Sequence, residues 1–204
     1  MTPGAALMRG LGELGFELPG SAPDQLLEYV ALLEKWNRTY NLTAIRDPLE
    51  MVSHHLMDSL VVVPYLPMPE DGATLADVGS GGGLPGIVLA IARPHWQITL
   101  NDSNTKKTAF LRQAAIELRL ANVSVHEGRV EGWRPARRFA VVISRAFAEL
   151  ADFLARCRHL VAPGGALAAM TARLEGDAPG CRAVKLRVPL LDAERHLVLC
   201  AAGG

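Results

Sequence analysis

Apolar residues in the N-terminal part of the chain recur at helical spacing. Leu26, Val30 and Leu33 fall on one side of a helix that is predicted to end near residue 41. A second helix is predicted to run to about residue 63. Its start is marked by an N-cap residue, a first-turn proline and a capping-box acid in the sequence Asp47-Pro48-Leu49-Glu50. The pattern up to this point therefore indicates helices only.

From residue 74 onward, short apolar segments alternate with longer helical ones. Strands are predicted at residues 74–78, 98–100, 123–126, 139–144 and 166–170, and helices at about residues 85–92, 105–120 and 150–160. Repeated strand–helix–strand units are typical of a parallel sheet with helices on both faces.

The end of the chain has a different pattern. The apolar segments 183–188 and 196–200 are separated by only about seven residues, too few for a helical crossover, so they should pair as a hairpin and add an antiparallel strand. We therefore predict an α/β fold with a Rossmann-like class I methyltransferase sheet and an N-terminal helical extension. Residues 1–204 would form one domain, with the extension at residues 1–70 and the core at residues 71–204.

Composition and charge narrow the function classes. Half of the 204 residues are hydrophobic and 21% are charged, which is typical of a folded domain. The chain has 21 basic and 21 acidic residues, so its zero net charge argues against indiscriminate coating of nucleic acid. No secretory signal or membrane span is visible, which predicts a cytoplasmic protein. Cys157, Cys181 and Cys200 are expected to be reduced thiols.

A glycine-rich run follows the first predicted strand and precedes a helix. Glycines there let the backbone turn sharply and approach a ligand closely. Asp77, at the end of the strand, is a candidate acceptor for a ligand ammonium group or for an ordered water. The run reads Asp77-Val78-Gly79-Ser80-Gly81-Gly82-Gly83-Leu84-Pro85-Gly86.

Two ligand classes fit this loop. Gly81, Gly83 and Gly86 satisfy the dinucleotide fingerprint, but that register begins three residues after the predicted end of the strand. S-adenosylmethionine has no pyrophosphate and needs no full phosphate cradle, so the pattern favours S-adenosylmethionine over a dinucleotide.

Polar residues after the second and third strands complete the candidate cofactor site. Asp102 is placed to accept hydrogen bonds from the two ribose hydroxyls of an adenosine, although the neighbouring Asn101 is an alternative partner. Val130 and Glu131 lie where an adenine ring would be flanked.

The sequence does not fix the roles of several other polar residues. His54, His55 and Asp58 lie within about one helical turn, either on a plain helix surface or beside the substrate. No metal site is predicted from the spacing of histidines and cysteines. Arg145 follows the fourth strand at the edge where ligands bind, so it is a candidate for positioning RNA or the cofactor. Other candidates for phosphate contacts are Lys106, Lys107, Arg112, Arg137, Arg138, Arg156 and Arg158.

Taken together, these residues resemble the RsmG (also GidB) family of ribosomal RNA methyltransferases along nearly the whole chain. Besides the glycine run, the resemblance rests on Trp36-Asn37, Tyr40-Asn41-Leu42-Thr43, Arg46-Asp47-Pro48, His55, Asp58-Ser59, Arg129-Val130-Glu131, Ser144-Arg145-Ala146-Phe147-Ala148 and Glu194-Arg195-His196-Leu197.

The resemblance implies a function and a set of contacts. It implies transfer of a methyl group from S-adenosylmethionine to N7 of a guanine in bacterial small-subunit (16S) ribosomal RNA. The zero net charge predicts the assembled small subunit as the substrate, and because no exposed apolar stripe demands a dimer, we expect a monomer. The implied cofactor contacts are Gly79, Leu84, Val130, Glu131 and Arg145. N7 carries a lone pair and no proton, so no general base is required and no catalytic acid–base pair is predicted.

One departure from the family pattern is visible. Members commonly carry Leu-Lys-Gly after the fifth strand, whereas this chain has Met170-Thr171-Ala172, with Arg173 two positions beyond the expected lysine. Two other functions stay open from the residues. These are a methyltransferase that acts on another substrate and a nucleotide-binding protein without catalysis.

Overall fold

The fold is described from a computed structural model, for residues 1–15, 17–69, 72–145, 147, 149–174 and 179–202. The α-helices are α1 (Pro3–Leu14), α2 (Ala22–Tyr40), α3 (Pro48–Met51), α4 (Asp58–Leu60), α5 (Gly86–Ala92), α6 (Thr105–Glu117) and α7 (Leu150–Cys157). The strands are β1 (Thr74–Val78), β2 (Gln97–Asp102), β3 (Val123–Glu127), β4 (Phe139–Ser144), β5 (Val161–Thr171), β6 (Cys181–Leu186) and β7 (Arg195–Ala201). A π-helical turn (Val52–Met57) and short 3₁₀ turns (Val63–Tyr65, Val130–Gly132, Arg158–Leu160) complete the elements.

All seven strands form one sheet in the order β3-β2-β1-β4-β5-β7-β6. The pairs from β3 to β5 are parallel, whereas β7 is antiparallel to both β5 and β6. The predicted α/β class and the antiparallel C-terminal hairpin are therefore confirmed. β1 and β4 coincide with the predicted segments, and β6 begins and ends two residues earlier than predicted. The other strands extend beyond the predicted segments, most of all β5, which begins five residues earlier than expected.

The two faces of the sheet pack against different partners. Alternation along β4 sends Val141 and Ile143 into a large core that includes α2, α5 and α6, and sends Val142 toward α7. The N-terminal helices α1 to α4 join the larger core. The extension thus lies on the same face of the sheet as the helix that follows the glycine loop.

Local sequence accounts for the starts of the N-terminal helices. Asp47 caps α3 with a 2.9 Å hydrogen bond from the Leu49 N–H, as predicted. The predicted second helix continues through the π-helical turn and α4, and ends at Leu60 rather than near residue 63. Helix α1 was not predicted; Thr2 caps it and Pro3 occupies its first turn.

The prediction of three reduced cysteines is wrong for two of them. Cys181 and Cys200 are directly paired across the β6–β7 hairpin, with Cα atoms 4.1 Å apart, and form a disulfide. Cys157 is free and buried beside the sheet, as expected. Linear spacing did not reveal the pair, because strand register rather than sequence separation brings the two side chains together.

Within the described ranges, no helix combines the length and the apolar composition that a membrane span requires.

Candidate functional site

The strand order places a crevice at one edge of the sheet. After β1 the chain adds strands on one side (β2, β3), and then crosses to β4 on the other side of β1. Ligands of open α/β sheets bind at such a switch point, outside the carboxyl ends of the strands. The glycine loop after β1 and the residues that follow β2, β3 and β4 all lie at this edge.

The glycine loop is held by the backbone of β2. The N–H groups of Gly79 and Ser80 both donate to the carbonyl of Asn101, at 2.8 and 2.9 Å. Gly79, Gly81 and Gly83 have φ values of 71°, 57° and 90°, a region that favours glycine. The glycines are therefore needed for the path of the loop itself.

Helix α2 of the N-terminal extension contacts this loop. The Tyr29 hydroxyl, on the buried side of α2, donates to the Gly82 carbonyl at 2.5 Å. A Cβ on Gly82 would lie only 3.1 Å from Leu33 Cδ1. Burial raises the pKa of Tyr29 above its ordinary value, so the phenol stays a donor.

Asp102 joins the loop to the end of β2. Its Oδ2 accepts a hydrogen bond from the Gly81 N–H at 3.0 Å, and its Oδ1 accepts one from the Asn104 N–H at 2.9 Å. The Asn101 amide instead donates to the carbonyls of His126 and Gly128 and is buried. Both candidates for the ribose hydroxyls border the crevice, and Asp102 is the one whose carboxylate is fixed against the glycine loop.

A groove of about 290 Å³ opens beside Asp102. We call it the cofactor groove, and its lining residues are Val78, Gly79, Asn101, Asp102, Ser103, Gly128, Arg129, Val130, Glu131, Phe147 and Arg156. Its polar groups lie at the ends of β1, β2 and β3 and, for Arg156, on α7, while Phe147 adds an aromatic ring after β4.

A chain of ion pairs borders one end of the cofactor groove. Arg156 donates to Glu131 and to Asp152, at 2.6 Å in each case. A hydrogen bond from its own backbone N–H, together with those from Arg129 and Arg156, lowers the pKa of Glu131 to about 2. Glu131 is therefore ionised at neutral pH.

Asp77 lies beneath the loop rather than in the groove wall. It is fully buried, and its Oδ2 accepts a hydrogen bond from the Gly86 N–H at 2.9 Å. Its Oδ1 has no hydrogen-bond partner among the described residues. Burial raises the pKa of Asp77 to about 7, partly offset by the bond from Gly86.

Arg145 contacts a different set of residues. Its Nη1 donates to Asp58 Oδ2 at 3.0 Å and to the His54 carbonyl at 3.1 Å. The other oxygen of Asp58 accepts a 3.0 Å hydrogen bond from Nε of Arg195 at the start of β7. We call Asp58, Arg145 and Arg195 the arginine site. Asp58 is thus a structural partner of two arginines, which its position on a helix did not reveal.

His55 packs beside the arginine site. Its Nε2 lies 2.8 Å from the Thr43 hydroxyl, and the ring is buried. Burial and the charge of Arg145 lower the pKa of His55 to about 4, so the imidazole is neutral at pH 7. This side chain therefore has a packing and hydrogen-bonding role.

The structure thus separates the predicted site residues into three groups. Gly79, Asp102, Val130 and Glu131 line the cofactor groove; Gly81, Gly83 and Leu84 belong to the loop; and Asp77 and Arg145 lie outside the groove lining. Sequence reasoning did not identify Tyr29 or Phe147 as site residues. Tyr29 carries no signal, because an aromatic on the apolar side of a helix looks like any core residue.

The departure at the fifth strand lies at the same edge of the sheet. Thr171 ends β5 opposite His196, and its hydroxyl donates to the Arg173 carbonyl at 2.7 Å. Ala146 and Ala148, which belong to one of the family motifs, lie outside the described residues. In the part of the chain that the structure describes, no group of three or more metal-ligating side chains is assembled.

Comparison with known proteins adds two findings. The family model described as rRNA small subunit methyltransferase G matches residues 23–185. A protein of Burkholderia thailandensis named ribosomal RNA small subunit methyltransferase G is 53% identical over 95% of this chain and 89% of its own length. Its namesake from Burkholderia pseudomallei is 52% identical over the same shares.

Solved structures agree on the fold. A SAM-dependent methyltransferase from Aquifex aeolicus has a TM-score of 0.57 at 17% identity, covering 85% of this chain and 98% of that one. A precorrin-6y C5,15-methyltransferase from Geobacter metallireducens has a TM-score of 0.52 at 14% identity, covering 70% and 86%. At such identities these similarities show the fold alone.

Proposed function

The chain belongs to the GidB family, rRNA small subunit methyltransferase G, and we propose that it transfers the methyl group of S-adenosylmethionine to N7 of a guanine in bacterial 16S ribosomal RNA. The observation that carries the proposal is the family match over residues 23–185, because this range includes the whole cofactor groove and two of the three members of the arginine site. A methyltransferase fold alone would leave the substrate open.

The residues of the cofactor groove fit the proposed cofactor. The Asp102 carboxylate borders the groove with both oxygens fixed by backbone N–H groups, and each oxygen has a second lone pair for a ribose hydroxyl. Gly79 leaves room for close approach of a ligand to the end of β1. Val130 and Phe147 supply apolar surface for an adenine ring.

S-adenosylmethionine supplies an electrophilic methyl group on a sulfonium sulfur. The protein has only to hold the guanine N7 in line with it, because N7 offers a free lone pair and loses no proton. Asp77, whose pKa of about 7 would suit a general base, is fully buried beneath the loop. The proposed reaction does not require it in that role, and catalysis rests on orientation.

We extend the proposal to the state of the substrate and of the enzyme. A chain with zero net charge lacks the excess of cations that supports strong binding to naked RNA. We therefore expect the assembled small subunit to be methylated better than deproteinised 16S RNA. We also expect a cytoplasmic monomer, which analytical ultracentrifugation would check.

The first experiment combines the protein with methyl-labelled S-adenosylmethionine and small subunits from cells that lack this modification. Label recovered in 7-methylguanosine at a single position supports the proposal. Label in another nucleoside, or none with cofactor binding intact, contradicts it. Parallel reactions with deproteinised RNA test the expected preference for subunits.

A binding assay separates the alternatives that the sequence left open. S-adenosylhomocysteine should raise the melting temperature, whereas NADH should not, since only a ligand of the native state stabilises it. The Asp102→Ala variant should lose this protection, and Asp24→Ala, at an exposed position in the first turn of α2, should keep it.

A further inference from the structure

The arginine site gathers three segments that are far apart in sequence. Asp58 begins α4, Arg145 follows β4 and Arg195 begins β7, so the two ion pairs span 87 and 137 positions. The Asp58 side chain is 3% exposed, and both of its oxygens are occupied. The two arginine side chains are 28% and 24% exposed. One buried carboxylate thus holds two guanidinium groups that both reach the surface.

The position of this surface is set by the strand directions. Because β7 is antiparallel to β5, the start of β7 lies at the same edge of the sheet as the end of β5, where Thr171 pairs with His196. Arg145 follows β4 at that edge as well. The arginine site therefore lies on the ligand-binding edge, on the opposite side of β1 from β2 and β3.

The charge of the arginine site favours an anion. Two guanidinium groups around one carboxylate leave a net charge of +1 in a partly buried setting, where electrostatic interactions are stronger than in bulk water. Guanidinium groups bind phosphate oxygens through paired, charge-assisted hydrogen bonds. The hydrogen bonds to Asp58 fix the orientation of both groups before any ligand arrives.

From this arrangement we propose that Arg145 and Arg195 bind a backbone phosphate of the substrate RNA, and that Asp58 is the positioning residue that aims them. The inference rests on the proposed function for the identity of the RNA. The shared chemistry is an oxyanion, which the carboxylate of the cofactor's methionine moiety could also supply. Arg195 is the residue that separates the two sources by experiment, because it does not line the cofactor groove, whereas the resemblance implies a cofactor contact for Arg145.

Two kinds of variant test the proposal in the full-length protein. Arg195→Ala should reduce the slope of log affinity for small-subunit RNA against log salt concentration by about 0.7 to 0.9, the loss of one phosphate contact, and weaken binding at fixed salt by roughly tenfold. Affinity for S-adenosylhomocysteine should not change. Arg195→Lys should restore the slope but not kcat/KM, because an ammonium group lacks the paired donors.

Arg182→Ala is the matched control. Arg182 is an exposed arginine on β6 that pairs with Leu199, so it lies toward the opposite edge of the sheet from Arg195, which pairs with Leu186. The control removes the same charge, and its salt dependence should equal that of the wild type. An equal loss of slope in both variants would mean that only overall charge matters, and would overturn the proposal.

Asp58→Asn distinguishes positioning from plain electrostatics. The substitution adds one unit of positive charge, so a site that acts only through its charge would gain kcat/KM on subunits. A positioning role predicts a fall of about tenfold or more, since both arginines lose the carboxylate that orients them. If the variant does not fold, as judged by its melting curve, the Arg195 pair still decides the question.

The remaining outcomes separate this inference from the proposed function. Weaker binding of S-adenosylhomocysteine by Arg195→Ala with unchanged RNA affinity would assign the oxyanion to the cofactor and overturn the RNA assignment. An inactive wild-type protein would contradict the proposed function alone, because RNA binding and its salt dependence are measured without catalysis.

Discussion

The cofactor groove and the arginine site lie at the same edge of the sheet but are held together in different ways. In the groove, backbone groups of the glycine loop are held directly, as in the two N–H groups that donate to the Asn101 carbonyl and the Gly81 N–H that donates to Asp102. In the arginine site, side chains meet side chains across 87 and 137 positions. The glycine loop and Asp102 are therefore brought together wherever β1 and β2 are in register. The arginine site forms only when three distant segments are all in place.

The two regions should also contribute differently to stability. Contacts inside the groove region are tight, because the first turn of α5 packs directly on β1 and β2. In the arginine site the two guanidinium groups are 28% and 24% exposed, so their ion pairs with Asp58 are partly screened by water. We therefore expect the largest effects on folding from the groove side, and effects on RNA binding from the arginine side.

The largest effect is expected from Gly86→Ala, at the start of α5. A Cβ there would collide with Leu100 Cδ2 and lie 2.7 Å from Asp77 Oδ2. Overpacking of this kind should lower the free energy of unfolding by about 3 kcal/mol, which a urea denaturation curve would measure.

The control for that variant is Gly12→Ala in α1. No atom lies within 4 Å of its added Cβ, so the substitution should stabilise the protein by about 0.5 to 1 kcal/mol through helix propensity. Equal effects of the two variants would mean that the groove side is not tightly packed.

The same contrast explains what could be predicted from the sequence. The groove was found because glycines, a strand end and Asp102 follow one another in a short stretch, so local pattern and local structure coincide. Asp58 and Arg195 were visible only as parts of family motifs, because no local rule joins residues 137 positions apart. The Cys181–Cys200 pair was missed for the related reason that hairpin register, not spacing, brings the two residues together.

The dependence of stability on pH should also differ between the two regions, because the pKa of Asp77 beneath the glycine loop is raised and the pKa of His55 beside the arginine site is lowered. The pKa of Asp77 rises from 3.8 to about 7 in the folded protein, so folding binds a proton and stability falls as pH rises from about 4 to 7. The pKa of His55 falls from 6.5 to about 4, so the unfolded chain binds the proton and stability rises with pH in much the same window. The two slopes largely cancel in the wild type.

Replacing either Asp77 or His55 should therefore leave the pH dependence of stability that the other residue causes. Asp77→Asn should make stability rise with pH between about 4 and 6.5, and His55→Gln should make it fall between about 4 and 7. Each slope is at most about 1.4 kcal/mol per pH unit, the value for one proton. Urea curves at several pH values would measure both. Variant profiles that run parallel to the wild type would show that neither group is perturbed.

A smaller effect is expected at the groove wall. Asp102→Ala removes the proposed ribose acceptor and the hydrogen bond to the Gly81 N–H, so affinity for S-adenosylhomocysteine should fall by roughly 10- to 100-fold. Calorimetric titration would measure it. The salt dependence of RNA binding should stay at the wild-type value. If that slope changed as well, the groove and the arginine site would not be separate units.

The smallest effect is expected from Tyr29→Phe, which tests the link from the N-terminal extension to the groove. The substitution removes only the hydroxyl that donates to the Gly82 carbonyl and leaves that buried carbonyl without this partner. A neutral hydrogen bond contributes about 1 kcal/mol, so affinity for S-adenosylhomocysteine should fall about fivefold. Tyr40→Phe, at a residue 39% exposed at the end of the same helix, is the control and should bind like the wild type. A loss of RNA binding without a loss of cofactor affinity would place Tyr29 on the arginine side. The expected result would show that the N-terminal extension stabilises the glycine loop through the Tyr29 hydroxyl.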